Sequence, residues 1–293
     1  MKAALFPGQG SQFIGMGADL ASKNERANQL FHQANDILGF DILSIMLNGP
    51  EEKLKQTNIT QPAVFIHSLA ALAANRSEIE YDYVAGHSLG ELSALVAAEC
   101  ISFGEGLLLV KERAESMQYA CEKQPGTMAA ILGLDNGKVE EVCAEIDGIV
   151  VAANYNCPGQ LVISGEVKAV KSATEMLKAA GAKRAVLLNV GGAFHSELMR
   201  PAQDRLAQQI EKTTFHEPLK SIYQNVSAQA ESEADKIKKN LLKQLTSPVR
   251  WTQTIQQMVA DGIDSFVEIG GNGKTLSSFV RRVSKDLSVE SYI

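Results

Sequence analysis

The chain has 293 residues, room for one large domain or two ordinary ones, and its 45% hydrophobic and 21% charged residues exclude a mainly disordered protein. A net charge of −6 argues against a general nucleic-acid binder, and no apolar run reaches the roughly 18 residues that a membrane-spanning helix needs. The cysteines (Cys100, Cys121, Cys143, Cys157) form no CxxC pair, so they read as reduced, mostly buried thiols rather than a zinc or redox site.

Ala3 to Phe6 reads as a short buried strand ended by Pro7, with the glycine-rich turn Gly8-Gln9-Gly10-Ser11-Gln12 behind it. The opening, Met1 to Pro7, breaks too soon for a secretory signal, so the expected location is cytoplasmic. Leu20, Leu30, Phe31, Ala34, Ile37 and Leu38 then keep helical spacing. Thr60-Gln61-Pro62 signals a second helix with proline near its first turn. Tyr81 to Ala85 reads as a strand running into Gly86-His87-Ser88-Leu89-Gly90, after which Leu89, Leu92, Val96 and Ala97 resume helical spacing. Strands alternating with helices predict a parallel sheet covered on both faces.

The middle of the chain changes character. Thr127–Leu134 reads as a strand, Gly137–Ile146 as a helix, and Ile149–Ala153 and Gln160–Ser164 as strands joined by Asn156-Cys157-Pro158-Gly159. Val167–Ala180 reads as a helix closed by Gly181, and Ala182–Val190 as a last strand. The order βαββαβ is that of a ferredoxin-like unit, whose first and last strands can lie side by side at the centre of its sheet. Such a unit suits insertion, because the chain leaves and returns nearby.

Gly86-His87-Ser88-Leu89-Gly90 fits the G-x-S-x-G nucleophile elbow, with a strand before it and a helix after it. The helix start offers unpaired N–H groups to a developing oxyanion. The alternative is a plain strand-to-helix turn with a capping serine. A catalytic serine needs a base. Of the five histidines, His32 and His67 sit in helical patterns, and His87 adjoins the serine, where neighbouring side chains usually diverge. His195 instead follows Gly191-Gly192-Ala193-Phe194, on a loop able to reach the elbow, and imidazole ordinarily titrates near neutral pH. The architecture expected is an α/β-hydrolase-like core at 1–126 and 191–293 with a ferredoxin-like subdomain at 127–190.

Several blocks together resemble the malonyl-CoA:acyl carrier protein transacylase family. They are Phe6-Pro7-Gly8-Gln9-Gly10-Ser11-Gln12, Thr60-Gln61-Pro62-Ala63, Gly86-His87-Ser88-Leu89-Gly90-Glu91, Asn156-Cys157-Pro158-Gly159-Gln160, Gly192-Ala193-Phe194-His195-Ser196 and Pro248-Val249-Arg250-Trp251. The resemblance implies Ser88 as acylated nucleophile, His195 as general base and acid, and the Gln244 backbone carbonyl as orienter of the imidazole. It implies the Gln9 and Leu89 N–H groups as oxyanion hole, and Arg113 as the grip on the malonyl carboxylate. By itself Arg113, amid Lys111, Glu112 and Glu115, would read as a solvated helix face. Phe194 is similar to the malonyl-type residue whose bulk leaves little room for a 2-methyl branch, a role compatible with a core phenylalanine. His87 is placed with Arg113 and Phe194 among the substrate-binding residues.

The implied reaction is ping-pong transfer of malonyl from malonyl-CoA to the phosphopantetheine thiol of acyl carrier protein, for fatty-acid biosynthesis. No cofactor or metal is expected; malonyl-CoA is substrate and phosphopantetheine belongs to the partner. A monomer that binds neither nucleic acid nor membrane is expected. The alternatives are a free-standing malonyl transferase of a polyketide synthase, an acyl-thioester hydrolase on the same fold, and an inactive carrier-binding protein. Gly191-Gly192 has glycine where the family often has serine, and Asn272 stands where proline is common, neither at a proposed catalytic group.

Two nucleotide motifs fail. The third glycine of GxGxxG falls on Phe13, and the first glycine of a Walker A pattern ending in Gly273-Lys274-Thr275 falls on Glu268. Two basic clusters, Lys236, Lys238, Lys239 with Lys243, and Arg281, Arg282 with Lys285, read as solvated faces; the minority reading is that one steers an acidic carrier protein.

Overall fold

The computed structural model describes all residues, Met1–Ile293. In chain order the strands are β1 (Lys2–Phe6), β2 (Tyr83–Gly86), β3 (Gly126–Leu132), β4 (Val150–Cys157), β5 (Gln160–Glu166), β6 (Arg184–Leu187), β7 (Ile222–Tyr223), β8 (Ala230–Glu231), β9 (Ser265–Ile269) and β10 (Ser288–Tyr292). They build two sheets in a mixed α/β fold. One is six-stranded in the order β10-β9-β1-β2-β7-β8, parallel throughout except for the β7–β8 pair. The other is four-stranded, antiparallel, in the order β4-β5-β3-β6.

The inner strands β1, β2 and β9 of the parallel sheet are buried on both faces because they are largely apolar, and the period of two sorts their side chains. Ala4, Phe6, Val84 and Val267 point into the large core under the helices Glu25–Leu38, Thr57–Ala74, Gly90–Ala97 and Phe103–Lys123. Ala3, Leu5, Ala85 and Phe266 point the other way, into a smaller core with Trp251, Ile255 and Val280. The antiparallel sheet packs Ala129, Ile131, Leu161 and Ile163 against its own two helices, Asn136–Glu145 and Val167–Ala179. Met128, Ala153 and Val162 face the opposite way and join the large core, so this sheet roofs the parallel one. Val249 stitches the two units together: its N–H donates to Ala153 and its carbonyl accepts from Tyr155.

Several expectations shift. The first helical pattern splits into Ala18–Lys23 and Glu25–Leu38, because Asn24 is extended and its side chain caps the Ala27 N–H. The second helix begins at Thr57, so Pro62 lies in its second turn rather than its first. Strand β4 runs to Cys157 rather than Ala153, its bulges letting it turn at Pro158-Gly159, where Gly159 has φ +74°. β6 is only Arg184–Leu187, shorter than the strand expected to Val190. It does pair with β3, but it lies at the sheet edge; β3 and β5 hold the centre. An edge strand has one partner to fix its length, and here it ends where Leu188 donates to Met128. The cysteines are free, three of them buried and Cys121 half-buried. No helix is long and apolar enough to cross a membrane.

Candidate active site

Ser88 leaves β2 with φ +52°, a left-handed conformation costly for a residue with a side chain. The two glycines explain how the turn closes. A Cβ on Gly86 would stand 1.9 Å from the Gly90 carbonyl, and one on Gly90 would stand 2.0 Å from the Phe6 carbonyl oxygen. The chain therefore doubles back tightly, and helix Gly90–Ala97 starts directly behind the serine.

His195 is brought to it from the loop that returns from the antiparallel sheet, and it too has positive φ, +59°. Ser88 Oγ lies 2.7 Å from His195 Nε2. On the far side of the ring, Nδ1 faces two carbonyl oxygens, of Gln244 at 3.0 Å and Ser247 at 3.2 Å. Carbonyls only accept, so the proton sits on Nδ1 and Nε2 is free to accept from the serine. No carboxylate takes part in orienting the ring. Burial, and then the positive charge of Arg113, depress the His195 pKa to about 3, against the two carbonyls that favour its charged form. The imidazole thus rests neutral, in place of the near-neutral titration expected from its residue type.

Arg113, from helix Phe103–Lys123, is 1% exposed rather than solvated. Its Nη1 donates to Gln61 Oε1 at 2.7 Å, and its Nη2 to Ser88 Oγ at 3.0 Å and Gln244 Oε1 at 3.2 Å. These acceptors are all neutral, and Nε has none. Burial lowers its pKa to about 10, opposed by the more distant charge of Glu91, and the group stays cationic at neutral pH. Gln244 acts three times: its backbone carbonyl takes His195, Oε1 takes Arg113, and Nε2 donates to the Ser88 carbonyl at 3.0 Å.

Gln9 lines the same cavity. Its loop is pressed onto the elbow, since a Cβ on Gly8 would meet the His87 carbonyl oxygen at 2.5 Å, and Ser11 Oγ donates back to Gly8. The N–H groups of Gln9 and Leu89 make no hydrogen bond within the protein, so both are free to donate beside Ser88. His87 diverges from the serine side chain: its Nε2 lies 2.8 Å from Asn156 Oδ1, and its ring meets Trp251 edge-on at 5.5 Å. Burial lowers its pKa as well. Phe194 joins both the large core and the cavity wall, with Met117, Met128 and Val190 beside it. The cavity holds about 470 Å³ and ends on Ser88, Arg113 and His195.

All eight residues singled out from the sequence thus surround or adjoin the elbow. Gln61, Glu91 and Asn225 received no role there, although Gln61 and Glu91 stand inside the motif blocks. Glu268, which breaks the Walker pattern, accepts from the Leu276 and Ser277 N–H groups and so fills the helix start that a phosphate would need.

The acyl transferase domain family matches residues 4–290. A malonyl CoA-acyl carrier protein transacylase of Bacillus subtilis (strain 168) is 43% identical over 97% of this chain and 91% of its own. The chain belongs to this family of acyltransferases. An acyl carrier protein S-malonyltransferase from Vibrio cholerae superposes with a TM-score of 0.94 at 40% identity, covering 99% of this chain and 96% of its own. A malonyl-transacylase solved in complex with a type II polyketide-synthase acyl-carrier protein reaches 0.95 at 41% identity, covering 99% and 95%.

Proposed function

We propose that the protein transfers malonyl from malonyl-CoA to the phosphopantetheine thiol of acyl carrier protein, through an ester on Ser88, in fatty-acid biosynthesis. The observation that carries this reading is a buried cationic Arg113 with only neutral partners, hydrogen-bonded to the same hydroxyl that pairs with His195. A buried guanidinium in that state has room for one bidentate carboxylate, and an acyl group that brings its own carboxylate supplies it.

In the proposed cycle Ser88 Oγ attacks the thioester carbonyl as its proton passes to His195 Nε2. The Gln9 and Leu89 N–H groups take the oxyanion. The tetrahedral intermediate collapses, and the CoA sulfur leaves with the proton from His195. The phosphopantetheine thiol then repeats the steps in reverse. His195 is held by carbonyls that orient it without neutralising the imidazolium, so the proton is readily returned. Apolar walls of Met117, Met128, Phe194 and Val190 favour thiol entry over water, which weighs against the hydrolase reading. The bulk of Phe194 is our assignment for preference of malonyl over its 2-methyl homologue.

We read the parallel sheet, with residues 1–126 and 191–293, as an α/β-hydrolase-like core. The four-stranded sheet at 127–190 is read as a ferredoxin-like insertion, supported by its strand order. A cytoplasmic monomer needing no cofactor beyond its two substrates completes the proposal. Intact-protein mass spectrometry after brief exposure to malonyl-CoA tests it. A malonyl adduct is expected in the wild type and absent from Ser88→Ala and from an acetyl-CoA sample. Continuous CoA release without an adduct would favour the hydrolase instead.

A further inference from the structure

Ser88 is held in its left-handed conformation by something other than its glycine neighbours. Its own N–H donates to no backbone carbonyl; it donates to Asn225 Oδ1 at 2.7 Å. The other end of that carboxamide, Nδ2, donates to the Gly86 carbonyl at 2.6 Å. One side chain therefore clasps the backbone on both sides of the elbow. The sheet brings it there. β7 runs parallel to β2 with Ala85 opposite Tyr223, so the residues that follow leave the same end of the sheet together.

Asn225 is itself fixed at every polar group. It is fully buried. Its N–H donates to Glu91 Oε2 at 2.7 Å, and its carbonyl accepts from the Arg250 N–H at 3.1 Å. Glu91 Oε1 accepts in turn from Gln224 Nε2 at 3.3 Å. Glu91 sits in the first turn of the helix behind Ser88, so the clasp is anchored to the element it positions.

We propose that Asn225 is a positioning residue for the transfer reaction: its carboxamide holds the strained Ser88 backbone so that Oγ meets His195 and the Leu89 N–H stays aimed at the reacting oxygen. Only an amide does both jobs, because one end must accept from Ser88 and the other must donate to Gly86. The inference rests on Ser88 being the nucleophile, as proposed above.

The test compares wild type, Asn225→Ala and Asn225→Asp. Each is titrated with a fluorophosphonate, which labels an activated serine with loss of fluoride and needs no grip from Arg113. Steady-state malonyl transfer is measured alongside. Loss of the clasp is expected to lower kcat and the Ser88 labelling rate together by about 100-fold, with KM for malonyl-CoA little changed. The aspartate variant adds a pH signature. Ionised, it repels the Gly86 carbonyl; protonated, its hydroxyl donates as the amide did. Its activity relative to wild type is therefore expected to climb as pH falls. Glu91, Arg113, His87 and His195, the charged and titratable groups around the elbow, are common to both proteins and largely cancel in that ratio.

Labelling within about three-fold of wild type in a folded alanine variant would overturn the inference, since a displacement that matters typically costs far more. Should the alanine variant not fold, a flat pH ratio for Asn225→Asp would overturn it equally. If wild type takes no label at Ser88, with Ser88→Ala as control, the nucleophile reading fails and this inference falls with it. Normal wild-type labelling with unaffected variants removes the Asn225 role alone.

Discussion

Arg113 decides what the site is for, and its setting is the part of the site least visible in the chain. Amid Lys111, Glu112 and Glu115 it has the look of a surface residue, yet the helix turns that position inward, where Gln61 and Gln244 offer only neutral oxygens. Replacing Arg113 by alanine should lower kcat/KM for malonyl-CoA by roughly 100-fold, about 3 kcal/mol, while acetyl-CoA, lacking the carboxylate, loses little; the ratio of the two reads it. Gln61→Glu should raise KM for malonyl-CoA, because a carboxylate against Nη1 would occupy the guanidinium that the substrate needs. His195 gives a pH prediction with a definite sign. Its depressed pKa keeps the base neutral, so the acid limb of kcat/KM should lie well below pH 6.5. Arg113→Gln removes a positive charge that contributes to the depression, and the acid limb of its residual activity should move to higher pH. Gln61 stands inside a motif block that assigns it no role and Asn225 stands in none, since an amide's role depends on which two groups the fold places at its ends.

The elbow shows how local spacing and long-range packing divide the work among elements. Two glycines flanking the serine were readable in the chain as a tight turn, and the structure supplies the reason: the Phe6 carbonyl, from another strand, stands against Gly90. Gly90→Ala is expected to destabilise the protein by about 3 kcal/mol and to abolish acylation, measured by urea unfolding and by the malonyl adduct. Helix Thr275–Val283 carries Arg281 and Arg282 of one basic cluster, and its position distinguishes that cluster from the other. Its Thr275, Leu276 and Phe279 line the cavity, and Arg282 in its last turn reaches the Gln160 side chain at 3.4 Å on the antiparallel sheet. The other cluster has Lys236 paired with Glu233. Neutralising Arg281 and Arg282 should therefore raise KM for the carrier protein and leave that for malonyl-CoA unchanged, whereas Lys238 and Lys239 substitutions should change neither KM. The break at Asn24 and the extension of β4 escaped periodicity because a cap and a bulge each depend on one residue, below the resolution of a hydrophobic pattern.

Across the whole molecule, three histidines are buried neutral, and this sets the acid stability. Burial holds His195 near 3 and His67 near 4, and lowers His87, against an ordinary value of 6.5. The unfolded chain takes up these protons first as pH falls. Stability from these groups is thus complete above about pH 6.5 and declines toward pH 4, by about 1.4 kcal/mol per pH unit for each group fully engaged. Glu91 acts in the opposite sense: burial raises its carboxyl to about 7, so its contribution is complete below 4.5 and lost as pH rises through 7. Three groups outweigh one between pH 4.5 and 6.5, and the urea midpoint should be lower at pH 5 than at pH 7. Arg113 came only from the resemblance to the family, whereas from the residues themselves came the alternation that requires a parallel sheet, the βαββαβ order, the elbow, and the residues Ser88 and His195. These rest on spacing and residue type, which act within a few residues along the chain. The tertiary structure alone decided that His195 faces a second carbonyl, of Ser247, beside the expected one of Gln244, that Arg113 is buried with neutral partners, and that Asn225 clasps Ser88. Each of those joins groups at least 25 positions apart in the chain, and burial and hydrogen-bond partnership are properties of the folded neighbourhood, not of any segment within it.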